Sequence, residues 1–393
     1  MKKLTKSTLL LFGGLLLSCS SDDNGNGQSS ENIQKSEVIE NYANIVLANY
    51  EDSYDAAVQL KVTIDAFVAD PTENNFEAAK QAWKTAREPY GQTEAFRFAS
   101  GPIDDEDGPE GLLNAWPLDE VYIDYVEGDE DAGIINDLTT YPTINRELLI
   151  SLNNVGGEKN ITVGYHAIEF LLWGQDLGDP SDETAGQRPY TDYVDGGTAA
   201  NQDRRRQYLA ICADLLTDHL QLMIDEWKEG GAYRTTFLSL NEDTALKNML
   251  SGIGTLAASE LSGERMFTAL FNQDQEDEHS CFSDNTHRDI RLNLQGIANV
   301  YRGSYKSVNG PSLEDLFEEA DTELGAEISA QLADAETTVN ATGIPFDLAI
   351  STGQTSEEGQ KVLNAVNALQ DLGDKFVQGG AAIGITISTD IPE

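Results

Sequence analysis

Basic residues are scarce in this 393-residue sequence, which has 25 lysines and arginines against 68 aspartates and glutamates. The formal net charge of −43 at neutral pH would repel nucleic acids and anionic lipid surfaces, and it would attract cations. We therefore expect no nucleic-acid partner. Solubility of an exposed protein accounts for most of this charge, so only acids that converge with histidines indicate a site.

Long hydrophobic runs are also missing, since the apolar stretch at 9–17 is too short to span a bilayer. It follows a lysine-rich start and ends in Leu-Leu-Ser-Cys, a pattern that resembles a bacterial lipoprotein signal. We predict that residues 1–18 are a signal peptide, that Cys19 is lipidated and that the polar residues 19–33 form a disordered tether. An ordinary secretory signal is the alternative. The lipoprotein interpretation places the protein at the outer membrane, facing the periplasm or the cell surface.

Cysteine is rare, with three in the chain. Once Cys19 is assigned to lipidation, Cys212 and Cys281 remain, and an exported protein could join them in a disulfide. The sequence does not fix the distance between them, so a disulfide and two buried free thiols both remain open.

Apolar residues recur every three or four positions after residue 35, which predicts helices along most of the chain. Asp70-Pro71-Thr72-Glu73 is typical of one helix ending and another beginning. The predicted helices cover 36–69, 72–98, 199–229, 242–273, 286–306, 312–336 and 357–377. The one strand-like segment is 382–387. Strands do not alternate with helices along the sequence, which disfavours a parallel sheet. We predict an all-α fold with irregular loops and a short strand-like C-terminal tail.

The body of about 350 residues is too long for a single helical-bundle core. We therefore predict two helical-bundle domains, 34–177 and 178–393, divided at a loop rich in glycine, proline and aspartate.

Histidine is the scarcest chemistry-bearing residue after cysteine, with four in the chain. His166 and Glu169 are three residues apart on a predicted helix, so they share one face and offer two metal ligands. Gly164 just before them permits close backbone approach. Glu276 and His279 repeat the spacing in reverse order, and facing helices that carry such pairs form metal sites in bundles. The alternative is a pair of structural contacts, and His219, on an apolar-patterned helix, is interpreted as structural.

Hydrolase signatures do not fit this sequence. A zinc helix of the His-Glu-x-x-His kind needs a glutamate directly after its first histidine, but Ala167 follows His166. The inverted kind needs a histidine directly after the glutamate, but Phe170 follows Glu169. A nucleophile elbow and a phosphate-binding loop are absent from the sequence as well. The acidic run 104–107 is interpreted as a solvated loop, with a calcium site as the alternative.

Several motifs together resemble the imelysin family, also called the M75 peptidase or iron-regulated protein A family. Gly164-Tyr165-His166-Ala167-Ile168-Glu169 is similar to its Gly-x-His-x-x-Glu signature, and the block 275–287 resembles its iron-regulated branch. Supporting stretches are Ala82–Arg87, Phe98–Asp104, Trp116–Asp119 and Gly263–Met266. The resemblance implies two helical-bundle domains related by a pseudo-twofold axis, with His166 and Glu169 near the groove between them. By position, Arg87, Glu94 and Gly164 would belong to this binding groove.

The resemblance implies a role in bacterial iron acquisition, with iron-transport components as possible partners. We predict a non-catalytic protein that binds a metal ion, iron favoured and zinc possible, or a small metal-bearing ligand, through His166, Glu169, Glu276 and His279. One alternative is a metal-dependent M75 peptidase. Another is a polysaccharide- or protein-binding module whose groove is lined by Trp83, Trp116 and Trp173.

Overall fold

The computed structural model describes residues 33–105 and 108–391. The predicted signal peptide, the lipidation at Cys19 and almost all of the predicted tether lie outside the described residues. Within the described part, no helix is both long and apolar enough to cross a bilayer.

Helices dominate the described chain, which confirms the all-α prediction. The α-helices are α1 (Lys35–Ala69), α2 (Glu73–Thr93), α3 (Glu110–Leu113), α4 (Glu120–Ile123), α5 (Gly133–Asn136), α6 (Arg146–Leu152), α7 (Tyr165–Trp173), α8 (Gln202–Trp227), α9 (Ala232–Ser239), α10 (Glu242–Thr255), α11 (Thr268–Asn272), α12 (Thr286–Arg302), α13 (Leu313–Ala320), α14 (Thr322–Asn340), α15 (Phe346–Ser351) and α16 (Glu357–Ala382). A π-helical segment (Leu256–Phe267) joins α10 to α11, and short 3-10 turns lie at Glu94–Phe96, Pro180–Asp182, Tyr190–Tyr193 and Gln275–Asp277. Strands β1 (Ser304–Tyr305) and β2 (Val308–Asn309) form a small antiparallel hairpin.

The long helices begin and end close to the predicted positions, because their periodic apolar faces are buried. Thr72 caps α2 by accepting a hydrogen bond from the backbone N–H of Asn75, as the Pro-Thr-Glu sequence predicts. The predicted helix over 312–336 is instead two helices. Asp321 ends α13 and caps α14 by accepting from the N–H groups of Glu323 and Leu324.

The C-terminal tail, predicted to be strand-like, is extended after α16 and buries Ile385 and Ile387. Among the described residues it pairs with no strand. It lies against the π-helical segment instead, where the hydroxyl of Ser259 donates to the carbonyl of Thr389 at 2.7 Å.

Helix α1 packs against α2 and α8, while α16 packs against α14, α10 and the π-helical segment. Between these groups, α2 contacts both α7 and α12, and this junction positions the candidate site. A Cβ on Gly296 of α12 would come within 2.2 Å of the carbonyl oxygen of Gln92, so glycine is needed where α12 crosses α2. The described residues belong to one compact unit, Ile33–Glu393, and the predicted boundary between residues 177 and 178 within it stays a prediction.

A buried ion cluster fixes the irregular region between α4 and α8. The Asp124 carboxylate is fully buried and accepts two hydrogen bonds from Arg205, at 2.7 and 2.8 Å, and one from Arg188, at 2.6 Å. Because Arg205 lies on α8 and Arg188 in the loop before it, this cluster ties the loops to the helical core.

Candidate metal centre

Helix α7 is buried along its whole length, so its two polar side chains are forced into the interior. The helix begins after Gly164, whose φ of 93° favours glycine. A Cβ at this position would lie 2.7 Å from the carbonyl oxygen of Leu113, which confirms the predicted close backbone approach. Gly164 thus places α7 against the end of α3 and is a positioning residue.

His166 and Glu169 contact each other as the three-residue spacing predicts. The Nδ1 atom of His166 lies 2.9 Å from Oε2 of Glu169. The other oxygen of Glu169 accepts hydrogen bonds from the N–H and the hydroxyl of Ser283, at 3.0 and 2.6 Å. Within the described residues, the Nε2 atom of His166 is buried without a hydrogen-bond partner.

The second histidine of the centre is His279. Its ring lies edge-to-face against the ring of His166, with 4.7 Å between the centroids. Its Nδ1 atom is 2.9 Å from Oδ2 of Asp289, which also accepts a 2.5 Å hydrogen bond from the hydroxyl of Ser280. Each histidine therefore has its Nδ1 atom held by a carboxylate, which leaves Nε2 as the nitrogen that can bind a metal.

Arg87 and Glu94 belong to a buried network behind this pair. Arg87 contacts the Asp289 carboxylate at 3.1 Å and donates to Asn114 at 2.5 Å. Asn114 donates to Glu94 at 3.1 Å, and Arg265 donates to the other oxygen of Glu94 at 2.6 Å. Arg87 and Glu94 are 1% and 3% exposed, so they support the histidines from within the core and do not line an open groove.

Glu276 is placed differently from the prediction. It lies in a 3-10 turn that ends at Asp277, so Glu276 and His279 do not share a helix face. Its side chain is exposed and interacts with Glu120, and His279 takes its carboxylate partner from Asp289 instead.

Two of the three tryptophans proposed for a binding groove are core residues. Trp83 and Trp173 are buried, and their rings pack 5.3 Å apart. Trp116 is half-buried and packs edge-to-face on the ring of His279, at 5.7 Å. Trp116 thus covers one edge of the histidine pair.

Of the two states left open for the cysteines, the structure shows the free thiols. Cys212 and Cys281 are both buried free thiols in the part of the chain that the structure describes. The pKa of each thiol is raised by burial, which makes both poor nucleophiles.

A family model described as Imelysin (Peptidase_M75) matches residues 46–376. The chain belongs to the imelysin family. It is 28% identical over 342 residues to an iron-regulated protein A from Synechococcus elongatus, a match that covers 84% of this chain and 81% of that protein. The fold is similar to the crystal structure of a candidate iron-regulated protein A precursor from Parabacteroides distasonis, with a TM-score of 0.69 at 19% identity. That match covers 90% of this chain and 97% of the other, and at this identity it shows the fold alone.

Burial sets the charge states of the histidines in this imelysin-family chain. Burial, aided by the charge of Arg87, lowers the pKa of His166 to about 3. Burial and the charge of Arg265 lower the pKa of His279 well below its ordinary range. Both imidazoles are therefore neutral at physiological pH, the form that binds metals.

The two carboxylates that hold these histidines differ in charge. Burial raises the pKa of Glu169 to about 8, although hydrogen bonds from Ser283 oppose the shift. Burial alone would raise the pKa of Asp289 as well, but Arg87 and the hydrogen bonds from His279 and Ser280 outweigh it and keep that pKa below its ordinary range. In the metal-free protein near neutral pH, Asp289 is ionised and the Glu169 carboxyl holds a proton.

The raised pKa of Glu169 predicts a pH effect on the stability of the metal-free protein. Between the ordinary pKa of 4.5 and about 8, the folded state holds a proton that the unfolded state has lost. This group therefore favours folding less as pH rises through that window, by up to about 1.4 kcal/mol per pH unit. A Glu169→Gln variant keeps the neutral form, so its stability relative to the native chain should increase from pH 5.5 to pH 8. Urea unfolding in chelator measures this difference.

The matched control is Glu147→Gln, which changes an exposed glutamate on α6. Its urea midpoint should follow that of the native chain at each pH. The same parallel behaviour in Glu169→Gln would contradict the assignment of a neutral Glu169 carboxyl.

Proposed function

We propose that this chain is an exported, lipid-anchored protein that binds one metal ion between His166 and His279 and serves bacterial iron uptake without turning over a substrate. The observation that carries the proposal is the buried, unpartnered Nε2 atom of His166 beside a second imidazole, within the described residues. A buried polar atom without a partner is unfavourable, and a metal ion would satisfy its lone pair.

The surroundings of both histidines support metal binding. Metal-ligating histidines commonly donate their second ring N–H to a carboxylate, which fixes the tautomer and the ring orientation. Asp289 stands in that relation to His279 at 2.9 Å. Glu169 lies at the same distance from His166 and would accept its Nδ1–H once metal binding displaces the proton that the carboxyl holds in the metal-free protein. His166 and His279 would hold the ion through Nε2, and the two carboxylates would orient them.

This assignment gives Glu169 a role different from direct ligation, since both of its oxygens are already engaged by His166 and Ser283. Glu276 is exposed beside Glu120 and would need to move to reach the ion. Two imidazoles leave coordination positions for water or for donor atoms of a metal-bearing ligand. Open coordination positions of this kind let a protein receive a metal and release it again.

Iron is the metal that the relatives favour, because the Synechococcus relative is described as an iron-regulated protein. Imidazole binds iron and zinc alike, so the ligands themselves do not select between them. Attachment through Cys19, an outer-membrane location and iron-transport partners complete the proposal.

The peptidase interpretation is less well supported. A zinc peptidase needs a carboxylate free to act as a base on metal-bound water. Glu169, the nearest carboxylate to His166, holds that histidine and accepts two hydrogen bonds from Ser283.

Metal titration of the full-length chain in detergent tests this proposal. After removal of metals with a chelator, anaerobic Fe²⁺ and, in a separate titration, Zn²⁺ should each bind in one-to-one ratio at the histidine pair, and a peptide library should remain uncleaved. The absence of stoichiometric binding of either ion would contradict metal binding. Chelator-sensitive cleavage that Glu169→Ala abolishes would establish the peptidase instead.

A further inference from the structure

Three aspartates that are distant in sequence meet beside the histidine centre. Asp176 follows α7, Asp284 precedes α12 and Asp347 lies in α15. One carboxylate oxygen of each lies within 4.8 Å of one from each of the others. Asp176 and Asp347 are 5% and 3% exposed, and Asp284 is half-buried. Three carboxylates so close together repel one another unless a proton or a cation lies between them.

A fourth buried carboxylate, that of Glu278, faces this cluster. Glu278 is 1% exposed, and the acids that interact with it most strongly are Asp347, Asp284 and Asp176, in that order. Among the described residues, neither of its oxygens accepts a hydrogen bond of normal geometry, although the hydroxyl of Thr286 lies nearby. One oxygen of Asp347 is likewise buried and unpartnered in the described chain. Buried polar oxygens without hydrogen-bond partners are unfavourable, so these oxygens point to a ligand.

We propose that Asp176, Asp284 and Asp347 form a second cation site, that the site binds Ca²⁺, and that the ion fixes the loop carrying His279 and Ser283. Glu278 lies behind the three ligands as a fourth carboxyl group. The site is distinct from the histidine pair, and it stands whether or not that pair binds a metal.

The donor atoms select the kind of cation. All three ligands are carboxylate oxygens on separate backbone segments, which suits the large, flexible coordination shell of Ca²⁺. Mg²⁺ demands a near-ideal octahedron, and ferrous iron and zinc favour sites that include nitrogen or sulfur. The Lys84 ammonium offsets part of the charge at Asp284, and a divalent ion would balance the charge that remains on the three aspartates.

The loop over 278–285 links this site to the histidine centre. Glu278 is adjacent in sequence to His279, and Asp284 is adjacent to Ser283, whose N–H and hydroxyl hold Glu169. Asp176 lies three residues beyond the end of α7, which carries His166. A cation that joins Asp176 to Asp284 would therefore hold the two halves of the histidine centre in register.

Thermal unfolding of the full-length chain with added Ca²⁺ tests the site. Saturating Ca²⁺ should raise the unfolding midpoint of the chelated native protein by about 2–5 °C, and equimolar Mg²⁺ should raise it by much less. Asp284→Asn and Asp347→Asn relieve repulsion, so each should unfold at the same temperature or higher in chelator, yet respond little to Ca²⁺. Asparagine tolerates the left-handed backbone at residue 284, where φ is 53°.

Asp182→Asn is the matched control, because it removes an exposed charge from the neighbouring 3-10 turn and should keep the full Ca²⁺ response. A native protein that does not respond to Ca²⁺, or aspartate variants that keep the response, would overturn the site. An equal response to Mg²⁺ would overturn the choice of Ca²⁺.

The link to the histidine centre needs a second readout. With Ca²⁺ present, Zn²⁺ should bind the histidine pair about 10-fold more weakly in Asp347→Asn than in the native chain, as expected when a supporting group is lost. An unchanged Zn²⁺ affinity would contradict the role in fixing the loop. His166→Ala should keep the Ca²⁺ response, so failure of the histidine centre and failure of the aspartate site are distinguishable.

Discussion

Replacing His166 or His279 with alanine is expected to weaken binding of Fe²⁺ and Zn²⁺ by about 100-fold or more. Each substitution removes one of the two imidazoles that meet at 4.7 Å, and loss of an outer-shell partner alone already weakens metal sites 10- to 100-fold. Glu169→Ala should therefore have the smaller effect, about 10- to 100-fold, because it removes the group that orients His166. Calorimetric titration of the chelated full-length chain measures all three.

His219→Ala is the matched control for these variants. His219 is a buried imidazole on α8, outside the network that joins His166 to His279, and its removal should leave metal affinity unchanged. Circular dichroism and the unfolding midpoint establish that each variant is folded before titration. Native affinity in folded His166→Ala and His279→Ala would place the metal elsewhere.

Asp124→Asn is expected to destabilise the fold by about 3–5 kcal/mol, because it leaves Arg188 and Arg205 buried without their shared carboxylate. The guanidiniums cannot lose their charge, and the asparagine amide offers one acceptor oxygen where the carboxylate offers two. Urea unfolding with matched buffers measures the loss. The effect should be structural, with metal binding retained below the unfolding transition.

The control for this second prediction is Asp195→Asn. Asp195 pairs with Arg206 at 2.7 Å, but its side chain is 83% exposed, so water replaces the lost contact. We expect a change of no more than about 0.5 kcal/mol. Equal stabilities for the two variants would contradict the role of the buried cluster.

The helices were predictable because their signals are local. The apolar period gave α1 almost to the residue, and Thr72-Glu73 gave the start of α2. The break at Asp321 was missed, since the apolar period continues across it and only the capping bonds of the aspartate divide α13 from α14. The two-residue strands β1 and β2 were not predicted, because a hairpin that short has no periodic pattern of apolar residues.

In the candidate site too, the sequence predicted the local contacts and did not predict the tertiary ones. The contact between His166 and Glu169 follows from their spacing on one helix, so the sequence was sufficient. His279 pairs with Asp289, ten residues away across a turn, and the pairing with Glu276 that spacing suggested does not form. The burial of Arg87 and Glu94 could not be predicted from the sequence either, because it depends on how closely α2 and α12 approach each other.

X-ray absorption spectroscopy of the Zn²⁺-loaded full-length chain tests the central claim most directly, because imidazole ligands give a distinct multiple-scattering signature. We predict two imidazoles per zinc at about 2.0–2.1 Å. His166→Ala and His279→Ala should each leave one, and Glu169→Gln should leave both. A zinc ion coordinated by oxygen alone, or one whose imidazole count is the same in native chain and histidine variants, would contradict the proposed centre.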